Sequence, residues 1–175
     1  MHSIFWRLIF FISLSLSFLN GGGGVLDVDW STIDKSQQKP SAPYPDVLTI
    51  GIKEVHLPVY LTKSYAYDEN MVVVADENFY SISFELEGAS LLFEGDKTFQ
   101  ESVDPTNPEF QKIVKQSPPV EYIGAEGMMT AEFTKHGVNY AITIECEDPK
   151  KDKRCSETDL IKSLYNGLAM VGGRP

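Results

Sequence analysis

The chain has 175 residues with 15 basic and 25 acidic side chains, a formal net charge of −10. So acidic a body repels phosphate backbones and anionic membrane surfaces, which argues against nucleic-acid and lipid-surface binding and leaves a cationic protein or small ligand as the partner it would attract. An apolar content of 42% with 8 Tyr and 10 Phe suits a folded core rather than a disordered chain.

The chain opens MHSIFWRLIFFISLSLSFLNGGGG. His2 and Arg7 supply a cationic start, the run from Leu8 to Leu19 contains only Leu, Ile, Phe and Ser, and Gly21 to Gly24 follow. A cationic start, a short apolar stretch and a small-residue exit are the parts of a secretory signal peptide, expected here over residues 1–24. A spanning helix needs about 20 apolar residues, more than this run offers, so no stable membrane insertion is expected once the leader is gone. The mature protein is expected in the periplasm or secreted. Loss of Arg7 leaves 14 basic against 25 acidic side chains, so the mature charge becomes −11.

Residues 25–46, VLDVDWSTIDKSQQKPSAPYPD, hold three prolines and no sustained period, which reads as an extended lead-in draped over the domain through Trp30 and Tyr44. A single domain is expected over residues 47–175. In VLTIGIKEV, Leu48, Ile50 and Ile52 alternate with Thr49, Gly51 and Lys53, the period of a strand. HLPVYL follows, with Pro58 restricting it to an edge or irregular strand.

Asp-Glu-Asn occurs at 68–70 and again at 76–78, on either side of Met71–Val74. Tyr80, Ile82, Phe84 and Leu86 then point one way and Ser81, Ser83, Glu85 and Glu87 the other, as in an antiparallel strand with one wet face. Two or three hairpin-linked strands are expected across residues 71–95. In DPTNPEFQKIVKQSPP, Asn107 before Pro108 reads as the start of a short middle helix that Pro118 and Pro119 stop.

EGMMTAEFTKHGVNYAITIEC is the clearest hairpin. Met129, Ala131 and Phe133 share a face, as do Val138, Tyr140, Ile142, Ile144 and Cys146, and Lys135-His136-Gly137 makes the turn. The last element starts at SETD, where Ser156 and Asp159 approximate a capping box. Leu160, Ile161, Leu164, Tyr165 and Leu168 form a helical stripe, with Gly172 and Gly173 ending it. The expected fold is therefore α+β: an antiparallel sheet of about five to seven strands, a short middle helix, and a C-terminal helix packed on the sheet.

Cys146 and Cys155 flank eight residues, seven of them charged. In an oxidising compartment such a pair forms a disulfide. A structural zinc site wants four ligands, and His56 and His136 have no metal-ligand spacing with the cysteines. A CxxC redox pair is far more closely spaced. No cofactor and no metal is expected.

No nucleophile, base and orienter come together in the sequence, and neither His56 nor His136 lies beside a serine elbow. Binding candidates are Asp68, Asn70, Asp76 and Asn78 in the two Asp-Glu-Asn turns, whose oxygens suit turn chemistry and lack the spacing of a calcium loop. Tyr122, Met128 and His136 complete the set, Met128 as an outward methionine near Tyr122 at an adaptable apolar site. The expectation is an exported, non-enzymatic binding or accessory domain. The alternatives are an acidic inhibitor or immunity-type partner of a cationic hydrolase, and a hydrolase working through paired carboxylates.

Overall fold

Period-two alternation builds the largest element of the protein, whose computed structural model describes residues 23–33, 42–100 and 119–175. Six antiparallel strands pair in the order β3-β4-β5-β9-β8-β7: β3 Val72–Ala75, β4 Phe79–Leu86, β5 Ala89–Asp96, β7 Glu121–Ala125, β8 Met128–Lys135 and β9 Val138–Cys146. Register places Ile82, Phe93, Ile142 and Ala131 side by side, and Phe84, Leu91, Ile144 and Met129 in the next row. All eight are buried. The residues between them face the other way, and none of those outward side chains is buried. One face is core and the other is wet, as the alternation predicts.

Two-residue turns close the hairpins on either side of β8. Glu126 and Gly127 join β7 to β8, and His136 and Gly137 join β8 to β9, all four with positive φ. Such turns match the right-handed twist of the strands they connect.

A second layer covers the inward face. β2, Val59–Thr62, is fully buried and pairs antiparallel with β10, Leu168–Gly172, with a register shift between Met170 and Gly172. Two tyrosines tie this layer to the large sheet. Tyr80 accepts a hydrogen bond from the Tyr60 amide at 3.0 Å, and the Tyr140 hydroxyl donates to Pro58 O at 3.0 Å. Burial holds both phenols well above their ordinary pKa, so both stay protonated. Helix α1 spans Asp46–Gly51, α2 spans Lys153–Ser156 and α3 spans Asp159–Asn166, the last packed against β8 and β9. The C-terminal helix thus rests on the sheet through buried Ile161 and Leu164. Among the described residues no helix is long and apolar enough to cross a membrane.

Three local expectations are corrected. The strand at Leu48, Ile50 and Ile52 is α1. Pro45 at its N-cap fixes φ at −56° and Asp46 opens the first turn, while Leu48 and Ile52, four apart, are buried and Ile50 is 70% exposed. Residues four apart satisfy a helix, and only Ile50 separates the two periods. The capping box at Ser156 does not form: Ser156 ends α2, its hydroxyl donates to Asp152 O, and Thr158 precedes α3. The final helix stops at Gly167 rather than at Gly172 and Gly173, because Leu168–Val171 carry an apolar run that pairs with β2. Leu168 therefore belongs to a strand, not to the helical stripe. The middle helix expected over 107–117 lies outside the described residues.

The lead-in lies on the body. Trp30 and Tyr44 pack half-buried against the core and Ile33 is buried. β1, Gly23–Val25, pairs antiparallel with β6, Thr98–Gln100. A leader that ends at residue 24 would remove two of the three β1 residues.

Candidate functional site

Carboxylates gather where the wet face meets the turn end of the sheet. On the outward face, the register lines up Ser81, Glu94, Ala141, Glu132 and Glu121 across β4, β5, β9, β8 and β7. The neighbouring row is Phe79, Asp96, Asn139 and Thr134. Ala141 is the small residue between two glutamates. Neighbouring strands lie about 4.8 Å apart, so the Glu94 and Glu132 backbones stand roughly 10 Å apart with a gap between them. All of these residues except Ser81 line a groove of about 490 Å³.

Charge on this face is one-sided. Glu85, Glu94, Asp96, Glu121, Glu132 and Glu145 point outward, and the strands contribute no outward Lys or Arg. Basic residues beside the sheet are used elsewhere, and Lys97, next to Asp96, donates to His56 O at 3.0 Å. Lys135 lies on the inward side and sets its ammonium 4.5 Å from the Tyr60 ring, and Lys162 on α3 reaches Tyr122 at 5.5 Å. Glu121 and Glu132 are directly opposed, an arrangement that costs stability.

Glu94 is the half-buried member. Burial pushes its carboxyl above the ordinary pKa, the neighbouring Asp96 charge adds to this, and a hydrogen bond from Ser81 opposes it. A raised acid pKa means that ionisation costs more in the folded than in the unfolded chain. Its contribution to stability is therefore full below the unfolded value and is lost as pH rises through the folded one. Glu94→Gln is accordingly expected to raise the urea midpoint at pH 7 and to leave it unchanged at pH 3. A variant gain that is the same at both pH values would remove this account of Glu94. Asp96 is partly committed, because it accepts from the Thr98 amide at 2.7 Å.

The sequence candidates scatter. Asp68 accepts from the amide and side chain of Asn70, and Asp76 accepts from the amides of Asn78 and Phe79. Both Asp-Glu-Asn segments are Asx turns, at opposite ends of β3, and they form no common site. Tyr122 is opposite Ala131 on the inward face and packs edge-on to Tyr165, whereas Met128 faces outward. The register thus puts Tyr122 and Met128 on opposite faces of the sheet rather than side by side.

His136 holds the lead-in. Its carbonyl accepts from the Asp29 amide at 3.1 Å and Nδ1 lies 2.8 Å from the Thr32 hydroxyl. That hydroxyl donates to Asp29 O at 2.9 Å, so Nδ1 is the donor to Thr32. Burial and the Lys135 charge lower the imidazole pKa, against an opposing pull from Asp29.

Cys146 and Cys155 are disulfide-bonded, with Cα atoms 6.2 Å apart. In the charged loop between them, Lys151 pairs with Asp148, Lys153 with Glu157 and Arg154 with Asp152. Arg154 also donates to Glu87 O at 2.8 Å, tying the loop to the β4–β5 turn. Its positive charge is thus mostly answered locally. Among the described residues, no group of three His, Cys, Asp or Glu side chains is placed to hold a metal ion.

The groove escaped the sequence reading because its members come from separate strands whose neighbours are set by topology. No protein-family model, curated protein or solved structure matches the chain.

Proposed function

We propose that the protein is an exported, non-enzymatic binding domain that takes a cationic protein partner on the outward face of its six-stranded sheet. The observation that carries this reading is the face itself: six carboxylates, no base, and a groove of about 490 Å³ among four of them. Charge so arranged speeds encounter with a positive surface, and a wide, low-relief sheet suits a protein better than a small molecule. Export draws its support from the apolar leader and from the disulfide, which persists in oxidising compartments. A cationic hydrolase held by an acidic inhibitor is the partner class this charge fits.

Association with a cationic lysozyme tests the reading. The on-rate is expected to fall roughly tenfold or more between low and physiological salt. Glu94→Gln/Glu121→Gln/Glu132→Gln should slow it, whereas Glu147→Gln/Asp148→Asn/Glu157→Gln, with the same net charge, should not. Equal slowing by both sets would reduce the acidity to a solubility device and end the proposal.

A carboxylate-dependent hydrolase is the second reading, favoured by the raised pKa of Glu94 facing Glu132 across Ala141. Turnover of a glycoside by the protein, abolished in Glu94→Gln, would promote it over binding.

A further inference from the structure

We propose that the free edge of β3 docks an extended segment of a partner protein, in which apolar residues alternate and Lys or Arg flank both ends, adding it to the sheet as a further strand. This site lies at the β3 edge of the sheet, outside the acidic groove, and does not depend on that groove.

Among the described residues β3 ends the six-stranded sheet, and its backbone pairs only with β4. Natural edge strands are guarded by short length, charge, proline, β-bulges or a covering element. β3 is short, at four residues, but Val72, Val73, Val74 and Ala75 bring no charge, no proline and no bulge. The opposite edge, β7, carries a charge at Glu121.

Exposed apolar surface concentrates at the same place. Among the described residues seven large hydrophobic side chains are exposed, and four of them are Val72, Val74, Val47 and Ile50. Val72 and Val74 stand on the outward face of the edge strand. Val47 and Ile50 lie one turn apart on α1, and α1 seats Gly51 so tightly on Val73 that a Cβ there would come within 2.6 Å of it. An added strand would find valine side chains beside it above the sheet and the α1 pair below.

The two Asp-Glu-Asn turns decide which strand fits. They stand at the two ends of β3, where Asp68 and Asp76 are spent on the turns and Glu69 and Glu77 are exposed. A second copy of this chain, paired in either direction, would bring acid against acid at both ends, and like charges directly opposed are destabilising. A segment with basic flanks meets a carboxylate at each end while its backbone supplies the hydrogen bonds, the β-augmentation mode of peptide recognition. The turns thus disfavour self-pairing and select the partner.

The probe is the peptide Lys-Lys-Val-Thr-Val-Thr-Val-Lys-Lys, titrated against the labelled full chain. Replacing its central Val by Pro keeps the charge and removes strand pairing, and is expected to weaken binding roughly tenfold or more, as is replacing the lysines by Glu. Val72→Lys/Val74→Lys, at two exposed positions, should abolish binding with an unchanged circular dichroism spectrum. The triple glutamine variant of the acidic groove should bind the peptide as the parent does. Equal binding of the proline peptide would overturn the proposal. So would its loss in the groove variant, which would place the peptide on the acidic face instead. A dimeric protein whose peptide binding is blocked by self-association would overturn it too, since a second copy would then hold the edge.

Discussion

Replacing Cys146 and Cys155 together by Ala is expected to lower stability by about 3 kcal/mol and the thermal midpoint by about 10 °C. The bridge spans a sequence separation of 9, a short ring, so constraint of the unfolded chain accounts for roughly 2.5–3 kcal/mol on its own. The native side adds position. Both cysteines are buried, and the bond holds α2 against the end of β9, from which Arg154 reaches the carbonyl of Glu87. α3 starts three residues after α2 ends, so the bridge also sets where the C-terminal helix meets the sheet. Urea unfolding with and without reductant checks this. The parent should fall to the variant's midpoint when reduced, and the variant should not respond. A parent unmoved by full reduction would show that the fold does not use the bond.

How much of this was legible depends on whether a residue's surroundings are local. The β8–β9 hairpin is, because Met129, Ala131 and Phe133 alternate and His136-Gly137 supplies the turn within one stretch of chain. β4 is equally plain, from Tyr80, Ile82 and Phe84. The error at α1 arose because Leu48 and Ile52 fit periods of both two and four, and only tertiary contact tells which way Ile50 points. At the C-terminus, Leu168 lies at helical spacing from Leu164, yet Gly167 breaks the helix and β2 offers Leu168 a strand partner more than a hundred residues away in sequence. The groove was hidden for the same reason. Glu94, Glu121 and Glu132 each look like an ordinary wet position, and only the order β5-β9-β8-β7 puts them in one row. Tyr122 and Met128 show the converse: closeness in sequence, separated by the pleat.

Gly95→Val should be among the most damaging single substitutions, costing about 4 kcal/mol or more, although valine is a better strand former than glycine. Gly95 points inward between Tyr80 and Tyr140, and a Cβ there would lie 2.5 Å from the Tyr80 ring, 2.9 Å from Tyr140 and 3.0 Å from Leu57. Overpacking alone costs about 1–3 kcal/mol. These rings also cannot move freely, because their hydroxyls hold the Tyr60 amide and the Pro58 carbonyl. A ring displaced by valine leaves a buried backbone group unpaired, at about 1–3 kcal/mol each. β2 is therefore the element that would loosen, and β10 with it. Gly124→Val is the control, since that glycine also lies in a strand on the inward register, but among the described residues its only neighbour within reach is the flexible end of Met129 at 3.3 Å. It should cost less than about 1 kcal/mol. Hydrogen exchange at Tyr60 and Leu61 would locate the damage in Gly95→Val. If both glycine variants unfold at the same urea concentration, the two tyrosines are not the clamp between the layers.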